Sequence, residues 1–475
     1  MTKKYKISLF IFRKDLRLID NTGLLAALAD SDEVIPLFIL TPEQLVNNKY
    51  KSDNCVQFMI ESLNDLNNEL YKHNSKLFLF YGKPMKVVED IIKNVLNINA
   101  VYVNEDYSPY SKERDNLIKE VCEKHNIDFN PYEDILLNPA GKIKTDSDTI
   151  YEKFTPYYRK AIGTKINSVK QNHYKNYISK NKKIPNQYDE ELNKFYKYNP
   201  NLAVNGGRTN GLKKLNEIKK HKKYNSERDI LHIETTRLSA YIRFGCVSIR
   251  EVYHKFKKEL GIKNDLVKQL IWRDFFYNII DANPNIITGN NKNFKPNYKK
   301  IQWIKYDSAT AKQKKLWDAW SSGNTGYPVV DAAMRELNTT GFMHNRGRLI
   351  VASFLTKLMM WDWQDGEKYF ANNLVDYDLC NNWGGWTWSS GSGVDSQPYF
   401  RIFNPWTQSE KFDKDAIYIK KWCPELKDVD AEHIHKWDEY YSNENYKNIK
   451  YPKPILNYED ARENALKLYK KGLYS

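Results

Sequence analysis

The chain is 475 residues long, which is more than one ordinary hydrophobic core holds and therefore predicts two domains. A formal net charge of +15 and an aromatic share of 14% favour a polyanionic partner with bases to stack on, although a solvated lysine-rich surface gives the same charge. The five cysteines form no Cys-x-x-Cys pair and no apolar run could cross a bilayer, which argues against a disulfide scaffold, a zinc site and a membrane protein.

Short apolar runs alternate with helical patterns over residues 1–135. Buried parallel strands are predicted at 7–12, 34–40, 77–81 and 100–103, with helices at 23–28 and 86–96. Parallel strands that are buried on both faces have such continuous apolar runs, and helices connect them. The alternation predicts an α/β domain built on a doubly wound parallel sheet.

The rest of the chain consists of two segments that differ in composition and in the spacing of their apolar residues. Residues 136–222 are rich in Lys, Asn and Tyr and have weak periodicity, which predicts a long connection between domains. Apolar residues then return every three or four positions, which predicts an all-α domain over 223–475. No hydrophobic signal segment opens the chain, so we expect a soluble intracellular protein of the cytoplasm or nucleus.

Residues 376–400 concentrate polar and aromatic groups in one segment. It contains the carboxylates Asp376 and Asp378, the amide of Asn382 and three tryptophans within a few turns of one another. Carboxylates and amides can hydrogen-bond a ring that is part donor and part acceptor, and tryptophans supply redox-active faces beside it. Taken alone, such a segment is more often a polar core loop. The mixture suits a buried redox heterocycle better than a hydrolytic site.

Other motifs accompany this segment in a fixed order. They are Phe-Arg-Lys-Asp-Leu-Arg-Leu-Ile-Asp-Asn from Phe12, Thr-Thr-Arg-Leu-Ser from Thr235, Leu-Ile-Trp-Arg-Asp from Leu270, Gly-Asn-Thr-Gly-Tyr-Pro from Gly323, Phe-Met-His-Asn-Arg-Gly-Arg from Phe342, Tyr-Phe-Arg-Ile-Phe-Asn-Pro from Tyr399 and Glu-Lys-Phe-Asp from Glu410. Over nearly the whole chain they resemble the photolyase/cryptochrome family, closest to its microbial cyclobutane pyrimidine dimer photolyases. The resemblance implies an α/β antenna domain and an all-α domain that binds FAD non-covalently.

The resemblance also implies which side chains hold FAD. They are Tyr224, Thr235, Thr236, Leu238, Ser239, Arg273, Asn345, Arg348, Asp376, Asp378 and Asn382. The hydroxyls of Thr235, Thr236 and Ser239 lie near a predicted helix start, where backbone N–H groups favour a pyrophosphate, although an ordinary N-cap has the same pattern. One residue is missing between Tyr224 and Thr236 relative to the family pattern.

At the flavin ring, the resemblance implies that Asn382 lies opposite N5. Asp376 and Asp378 would reach the N3 and O4 edge or the ribityl chain. Arg348 is expected to pair with Asp376, because an unpaired buried carboxylate is costly. This asparagine is what a repair enzyme carries, whereas signalling members of the family vary at that position.

The predicted catalytic set is Trp386, Trp363, Trp303, Gln269, Asn345 and Asn382. Its three tryptophans match the family's electron-transfer chain, in which neighbouring indoles pass a hole from the flavin toward the surface. Trp361 and Trp383 are further neighbours that could branch this chain. Buried tryptophans are otherwise most often plain core.

On the substrate side, the resemblance implies that DNA with a UV-induced pyrimidine dimer is the partner. The predicted contacts are Trp272, Trp388, Gln269, Arg346, Leu349, Arg401 and Lys411. The two tryptophans match a pair that sandwiches the flipped-out dimer, and the three cations match phosphate contacts. Each arginine taken alone is more often half of a surface ion pair.

Gln269 departs from the pattern of cyclobutane dimer enzymes, which have glutamate there. Glutamine is the residue of (6-4) photolyases and animal cryptochromes. However, (6-4) chemistry depends on two histidines whose positions hold Asn345 and Leu349, and neither side chain is a suitable proton donor. The sequence therefore predicts a light-driven cyclobutane dimer photolyase, a carbon–carbon lyase. The alternatives are a blue-light-sensing cryptochrome, a (6-4) photolyase, or a nucleic-acid-binding protein that keeps flavin as a structural element.

The identity of a second, antenna chromophore stays open. The positions that hold a folate in some relatives are Tyr110 and Ser111 here, instead of an amide and a carboxylate. A deazaflavin, a second flavin, a folate or no antenna are all compatible with the sequence. We expect no metal site and a monomeric protein.

Overall fold

The computed structural model describes residues 3–474, which begin with a five-stranded sheet. The strands are β1 (Tyr5–Phe12), β2 (Ser31–Leu40), β3 (Phe78–Tyr81), β4 (Ile98–Asn104) and β5 (Asp128–Tyr132). Their order is β3-β2-β1-β4-β5, and every neighbouring pair is parallel. The central strands β1 and β2 are buried over nearly their whole length, as expected when helices cover both faces. The predicted doubly wound parallel sheet is confirmed.

The strand that the sequence did not indicate is β5. Its residues read Asp-Phe-Asn-Pro-Tyr and none of them is fully buried. β5 is the last strand of the sheet and pairs only with β4, so Pro131 lacks an N–H where no further strand needs one. A polar edge strand with a proline has no apolar pattern to reveal it.

Helices make up most of the remaining structure. In chain order they are α1 (Thr22–Asp30), α2 (Pro42–Leu45), α3 (Asp53–Tyr71), α4 (Pro84–Asn94), α5 (Pro109–Lys124), α6 (Phe154–Ala161), α7 (Arg208–Asn216), α8 (Tyr224–Glu227), α9 (Ser239–Arg243), α10 (Ile249–Leu260), α11 (Asp265–Ala282), α12 (Asn285–Thr288), α13 (Ala311–Ser322), α14 (Pro328–Thr340), α15 (Asn345–Ser353), α16 (Trp363–Asn373), α17 (Leu379–Ser390), α18 (Pro405–Phe412), α19 (Ile417–Trp422), α20 (Ala431–His435), α21 (Trp437–Tyr440) and α22 (Tyr458–Tyr474). A π-helical turn, Phe354–Leu358, follows α15. Within residues 3–474, no helix is both long and apolar enough to cross a membrane.

Contacts divide the chain into two compact units. The sheet unit contains the residues up to Asn199, Val204–Lys222 and Thr236–Thr288, and the helical unit contains Pro200–Ala203, Lys223–Thr235 and the residues from Gly289 onward. Helices α9 to α12 thus belong to the sheet unit. The limits at 135 and 222 that the sequence suggested remain a proposal.

A buried ionic cluster connects α10 to the sheet. Arg17 Nη2 donates to one carboxylate oxygen of Asp134 at 2.6 Å, and Arg250 Nη2 donates to the other at 2.7 Å. Arg250 Nε also donates to Asp20 at 2.8 Å. Arg17 is 2% exposed and Asp134 is 1% exposed, so each charge depends on the others for solvation. The motif that begins at Phe12 therefore has a structural role in this unit.

In the helical unit, the motif from Gly323 forms the turn before α14. Asp331, in the first turn of α14, accepts hydrogen bonds from the backbone N–H groups of Thr325 and Gly326 at 2.7 and 3.0 Å. Gly326 has a φ of +75°, and a Cβ there would lie 2.4 Å from the backbone of Lys453. Glycine is required at this position both by the backbone conformation and by the close approach.

Candidate active site

The predicted ion pair before α17 is present. Arg348 Nη2 donates to both carboxylate oxygens of Asp376, at 3.1 and 3.0 Å. Its Nε donates to the carbonyl oxygen of Met343 at 2.9 Å, which fixes the plane of the guanidinium. Asp376 is buried, and the paired charge offsets the cost of that burial.

Asp378 caps α17 and sets the position of the residues that follow. Its Oδ1 accepts hydrogen bonds from the backbone N–H of Asn381 at 3.0 Å and from the Asn381 side chain at 2.7 Å. The cap satisfies a backbone donor that the helix leaves unpaired. Asn382 and Trp386 then lie four residues apart, so they share one face of the helix.

Glu367 orients the amide of Asn382, a contact that no sequence motif indicated. Asn382 Nδ2 donates to Glu367 Oε1 at 2.9 Å and to the Glu367 carbonyl oxygen at 3.1 Å. Asn382 Oδ1 accepts no hydrogen bond from residues 3–474, so the oxygen end of the amide is available to a ligand. Glu367 is 5% exposed, and burial raises the pKa of its carboxyl to about 7.

We expect Glu367→Gln to flatten the dependence of stability on pH. A carboxyl whose folded pKa is raised binds a proton between pH 4.5 and 7 that the unfolded chain releases. Its contribution to stability is therefore full below pH 4.5 and is lost as pH rises to 7, by roughly 2–3 kcal/mol. Urea unfolding of both proteins at pH 5 and pH 8 measures the difference. An identical pH dependence in the two proteins would contradict the assigned burial.

The three tryptophans of the predicted electron-transfer chain lie in the helical unit. Trp386 is buried, and Gly366 lies so close to its ring that a Cβ there would come within 2.3 Å. Trp363 is also buried, and its Nε1 donates to Asn293 Oδ1 at 2.9 Å. Trp303 is half-buried and lies in edge contact with the ring of Tyr469 at 5.5 Å.

The motif from Phe342 places two predicted side chains at the start of α15. Arg346 Nη2 donates to Asp229 at 2.9 Å, and its guanidinium lies 4.2 Å from the centre of the Phe412 ring. Asn345, the first residue of α15, is exposed. The imidazole Nδ1 of His344 accepts from the Arg346 N–H at 3.2 Å and caps the helix. Leu349 and Trp388 are half-buried in the same unit.

A buried lysine holds the backbone of Arg401. Lys357 lies in the π-helical turn, is fully buried and donates to the Arg401 carbonyl oxygen at 2.7 Å. Burial, and then the neighbouring charges of Arg401 and Lys295, lower the pKa of Lys357 to about 7. The Arg401 side chain itself is exposed, as is that of Lys411. Both cations are therefore accessible to an anionic ligand.

The residues predicted to face the dimer from α11 lie in the sheet unit. Trp272 stacks on Phe154 of α6, with ring centres 3.5 Å apart and planes within 8° of parallel. Gln269, one turn earlier, is exposed. Arg273 donates to the Ile135 carbonyl oxygen at 2.6 Å. Phe154 was not predicted, because it lies more than a hundred residues from its stacking partner in the sequence.

The next turn of α11 secures the connection that follows β5. Asp274 accepts from the backbone N–H groups of Leu137 and Asn138 at 3.3 and 2.9 Å. Asn278, four residues later, accepts from the Gly141 N–H at 2.7 Å. This part of the predicted connection is therefore fixed to the helix that carries Gln269 and Trp272.

The predicted phosphate-binding residues are spread along the approach to α9. The N-cap of α9 is Leu238, which is buried, and no side chain caps the helix. Thr236 Oγ1 accepts from the Leu238 N–H at 3.4 Å, and Ser239 is exposed. The ordinary N-cap interpretation of these hydroxyls therefore does not hold for α9. Tyr224 and Thr235 are half-buried in the helical unit.

The antenna positions belong to the start of α5. Ser111 Oγ donates to Asp106 at 2.8 Å, and Ser108 caps the helix by accepting from the Ser111 N–H. Lys14 pairs with Asp106 at 2.7 Å. Tyr110 is 40% exposed. Ser111 is thus part of a capping network, and Tyr110 is the more accessible of the two.

Models of known families match two parts of the chain. The model described as DNA photolyase matches residues 8–172, and the model described as FAD binding domain of DNA photolyase matches residues 266–471. Together they cover well over half of the chain.

Individual relatives match over nearly their full length. The deoxyribodipyrimidine photo-lyase of Buchnera aphidicola (subspecies Acyrthosiphon pisum) is 35% identical over 98% of this chain and 97% of that protein. An archaeal photolyase of Sulfolobus tokodaii, solved with two FAD molecules, is 39% identical with a TM-score of 0.85 and covers 98% of this chain and 100% of its own. A class III photolyase of Agrobacterium tumefaciens is 30% identical with a TM-score of 0.89 and covers 100% of this chain and 99% of its own. The chain belongs to the DNA photolyase family.

Proposed function

We propose that this protein is a deoxyribodipyrimidine photolyase, which repairs cyclobutane pyrimidine dimers in DNA by light-driven electron transfer. The observation that carries the proposal is the donor set of the helical unit. It consists of the Asn382 amide with a free oxygen end, the Arg348–Asp376 pair and the buried Trp386. The name shared by the curated relatives supports the same activity.

This donor set fits the edge of a flavin ring, which has both donors and acceptors. Asn382 Oδ1 would accept from N5 when that nitrogen is protonated, and the contact with Glu367 keeps the amide in that orientation. Asp376, held by Arg348, and Asp378 would accept from the N3 edge or the ribityl hydroxyls. When bound, reduced FAD supplies the electron that light transfers to the dimer and that returns after the ring splits.

Several exposed or half-buried side chains are proposed to hold the damaged DNA. Trp272 and Trp388 would stack on the flipped-out dimer, whose extrusion exposes its faces. Arg346, Arg401 and Lys411 would contact phosphates, which fixes the register of the DNA and makes binding sensitive to salt. We propose that the enzyme acts as a monomer inside the cell.

Gln269 can hydrogen-bond the carbonyl edge of the dimer but cannot donate a proton as a carboxylic acid can. We therefore expect Gln269→Glu to keep or raise the repair yield, measured as restored absorbance of a dimer-containing oligonucleotide. Gln44→Glu, at an exposed position of α2, makes the same charge change and serves as the control. A large loss in Gln269→Glu with unchanged FAD content would point to a different substrate pose.

Gln269 also favours two other candidate functions, a signalling cryptochrome and a (6-4) photolyase. The (6-4) activity is disfavoured because Asn345 and Leu349 occupy the positions where that chemistry needs histidines. A cryptochrome would bind flavin and respond to light without repairing either lesion. A repair assay therefore distinguishes a signalling cryptochrome from a photolyase.

We propose to identify the antenna chromophore by measuring how many FAD molecules each protein chain binds. The Sulfolobus tokodaii relative was solved with two FAD molecules, which makes a second flavin a specific candidate among the deazaflavin, flavin and folate alternatives. Heat-released chromophores would be quantified by chromatography against protein concentration. Two FAD molecules per chain would support a flavin antenna, and one would leave a different chromophore or none.

The experiment that tests the proposed activity compares light with darkness. Purified protein is reduced with dithionite and mixed with an oligonucleotide that carries a thymine dimer, then illuminated with near-ultraviolet or blue light. We expect the dimer to disappear only in the light and only when FAD is bound. Loss of the dimer in darkness, or with FAD removed, would contradict the proposal.

A further inference from the structure

The indole of Trp272 in α11 is covered on one face by a phenyl ring from α6. The ring centres of Phe154 and Trp272 are 3.5 Å apart, and the two planes are within 8° of parallel. Rings in contact cannot approach much more closely, so the phenyl lies directly over the indole with little sideways offset. Aromatic pairs that are free to choose prefer offset or edge-to-face arrangements. The packing of the two helices therefore imposes this stack.

Neighbouring rings of α6 and α11 hold Phe154 in this position. The ring of Phe275 meets Phe154 edge-on at 5.7 Å and Trp272 edge-on at 5.6 Å. Tyr157, nearly one turn after Phe154 in α6, packs against Phe275 at 5.3 Å. Phe154, Tyr157 and Phe275 are all buried. The indole of Trp272 therefore rests against a closely packed support.

The accessible part of Trp272 lies on the side away from this support. Trp272 is half-buried, whereas Phe154, which covers one face of the indole, is buried. Phe276 lies 5.5 Å from the indole with its plane tilted by 30°, which is too far for direct stacking on the other face. Gln269, three residues before Trp272, is exposed and lies on the same side of α11. One indole face and one amide are therefore presented together to a ligand.

We propose that Phe154 is a positioning residue for lesion recognition, which fixes the plane of Trp272 so that one indole face is ready to stack on the dimer. The inference rests on the proposed function, since it needs Trp272 to contact the flipped-out dimer. Without the phenyl ring, the indole would be free to rotate into the space behind it. Fixing the plane in advance avoids an entropy loss on binding. Undamaged DNA keeps its bases in the stack and gains little from this arrangement.

The test measures the preference of the protein for damaged DNA. Fluorescence anisotropy in darkness gives the Kd of two duplexes that are identical except for one thymine dimer. Phe154→Leu retains an apolar side chain without a flat face, and we expect it to lower the preference for the dimer about tenfold. Phe154→Met, a flexible side chain that fills irregular space, should have the same effect. Phe154→Tyr keeps the flat ring and should retain the preference.

Phe275→Leu is the matched control. It makes the same change at a ring that is also buried and that meets Trp272 only edge-on. We expect it to destabilise the protein to a similar extent, measured by urea unfolding, but to change the preference for the dimer much less. An equal loss of preference in Phe275→Leu and Phe154→Leu would overturn the inference, because it would reflect general packing.

A double-mutant cycle tests whether Phe154 acts through Trp272. Trp272→Ala alone should lower the preference for the dimer, and adding Phe154→Leu should cause no further loss. An additive loss in the double variant would overturn the inference. So would a preference that survives Trp272→Ala, or one that is lost in Trp272→Ala but kept in both Phe154→Leu and Phe154→Met.

The proposed function is read separately from the inference. Repair of a thymine dimer by dithionite-reduced wild-type protein in light measures the activity itself. Repair by the wild type together with any of the overturning results above would count against the positioning role of Phe154 alone. A wild-type protein that neither prefers nor repairs the dimer would count against both.

Discussion

Trp386→Phe is expected to slow light-driven reduction of the bound flavin by about tenfold or more, equivalent to about 1.4 kcal/mol in barrier. The proposed electron-transfer chain begins at Trp386, which is buried on the same face of α17 as Asn382. Phenylalanine fills most of the space but is far harder to oxidise. Repair by enzyme that has been reduced with dithionite should stay largely intact. Absorbance of the flavin under illumination, followed by a repair assay, measures both quantities.

The control for Trp386→Phe is another buried tryptophan that does not belong to the proposed electron-transfer chain. Trp437 is 1% exposed and donates through Nε1 to the Pro452 carbonyl oxygen. Trp437→Phe creates a similar packing defect, so it should leave photoreduction unchanged. Equal loss of photoreduction and repair in Trp386→Phe would mean that Trp386 does more than relay electrons.

Asp134→Ala is expected to lower the free energy of unfolding by about 3–5 kcal/mol, because it leaves the buried Arg17 without its paired carboxylate and removes one of the two carboxylates of Arg250. Burial alone would raise the pKa of Asp134, but the two guanidinium groups hold it at about 2. The stabilisation is therefore present above about pH 4 and is lost as pH falls toward 2. Urea unfolding at pH 7 and pH 3 measures both effects.

Asp128→Ala, at the first residue of β5, provides the control at an exposed carboxylate. Asp128 pairs with Lys4 at 3.2 Å, but the side chains are 56% and 64% exposed. An exposed pair of this kind contributes about 0–1 kcal/mol. Similar destabilisation by Asp128→Ala and Asp134→Ala would show that burial of the cluster has been overestimated.

Local patterns in the sequence predicted the parts of the fold that depend on continuous burial. The strands β1, β2 and β4 were predicted because their apolar runs are buried over nearly their whole length. β3 was predicted because all four of its residues are apolar or aromatic, although Tyr81 is exposed. β5 was missed because an edge strand tolerates polar residues and Pro131. The pairing of Arg250 with Asp134 has no local signal either, since it joins residues more than a hundred positions apart.

In the candidate site too, contacts between motif residues could be predicted, whereas contacts with residues outside the motifs could not. The Arg348–Asp376 pair could be predicted because a buried carboxylate needs a partner and the motifs named both residues. Glu367 and Phe154 could not, since each acts through a residue that is distant in sequence and neither belongs to a distinctive motif.

The central claim is the identity of the lesion, and a paired repair assay tests it most directly. Photoreduced protein is illuminated with two otherwise identical oligonucleotides, one carrying a cyclobutane thymine dimer and the other a (6-4) photoproduct. We predict that absorbance is restored for the cyclobutane dimer alone, which would show that Gln269 suffices for this chemistry. Repair of the (6-4) photoproduct alone, or of neither lesion by a photoreducible flavoprotein, would contradict the account.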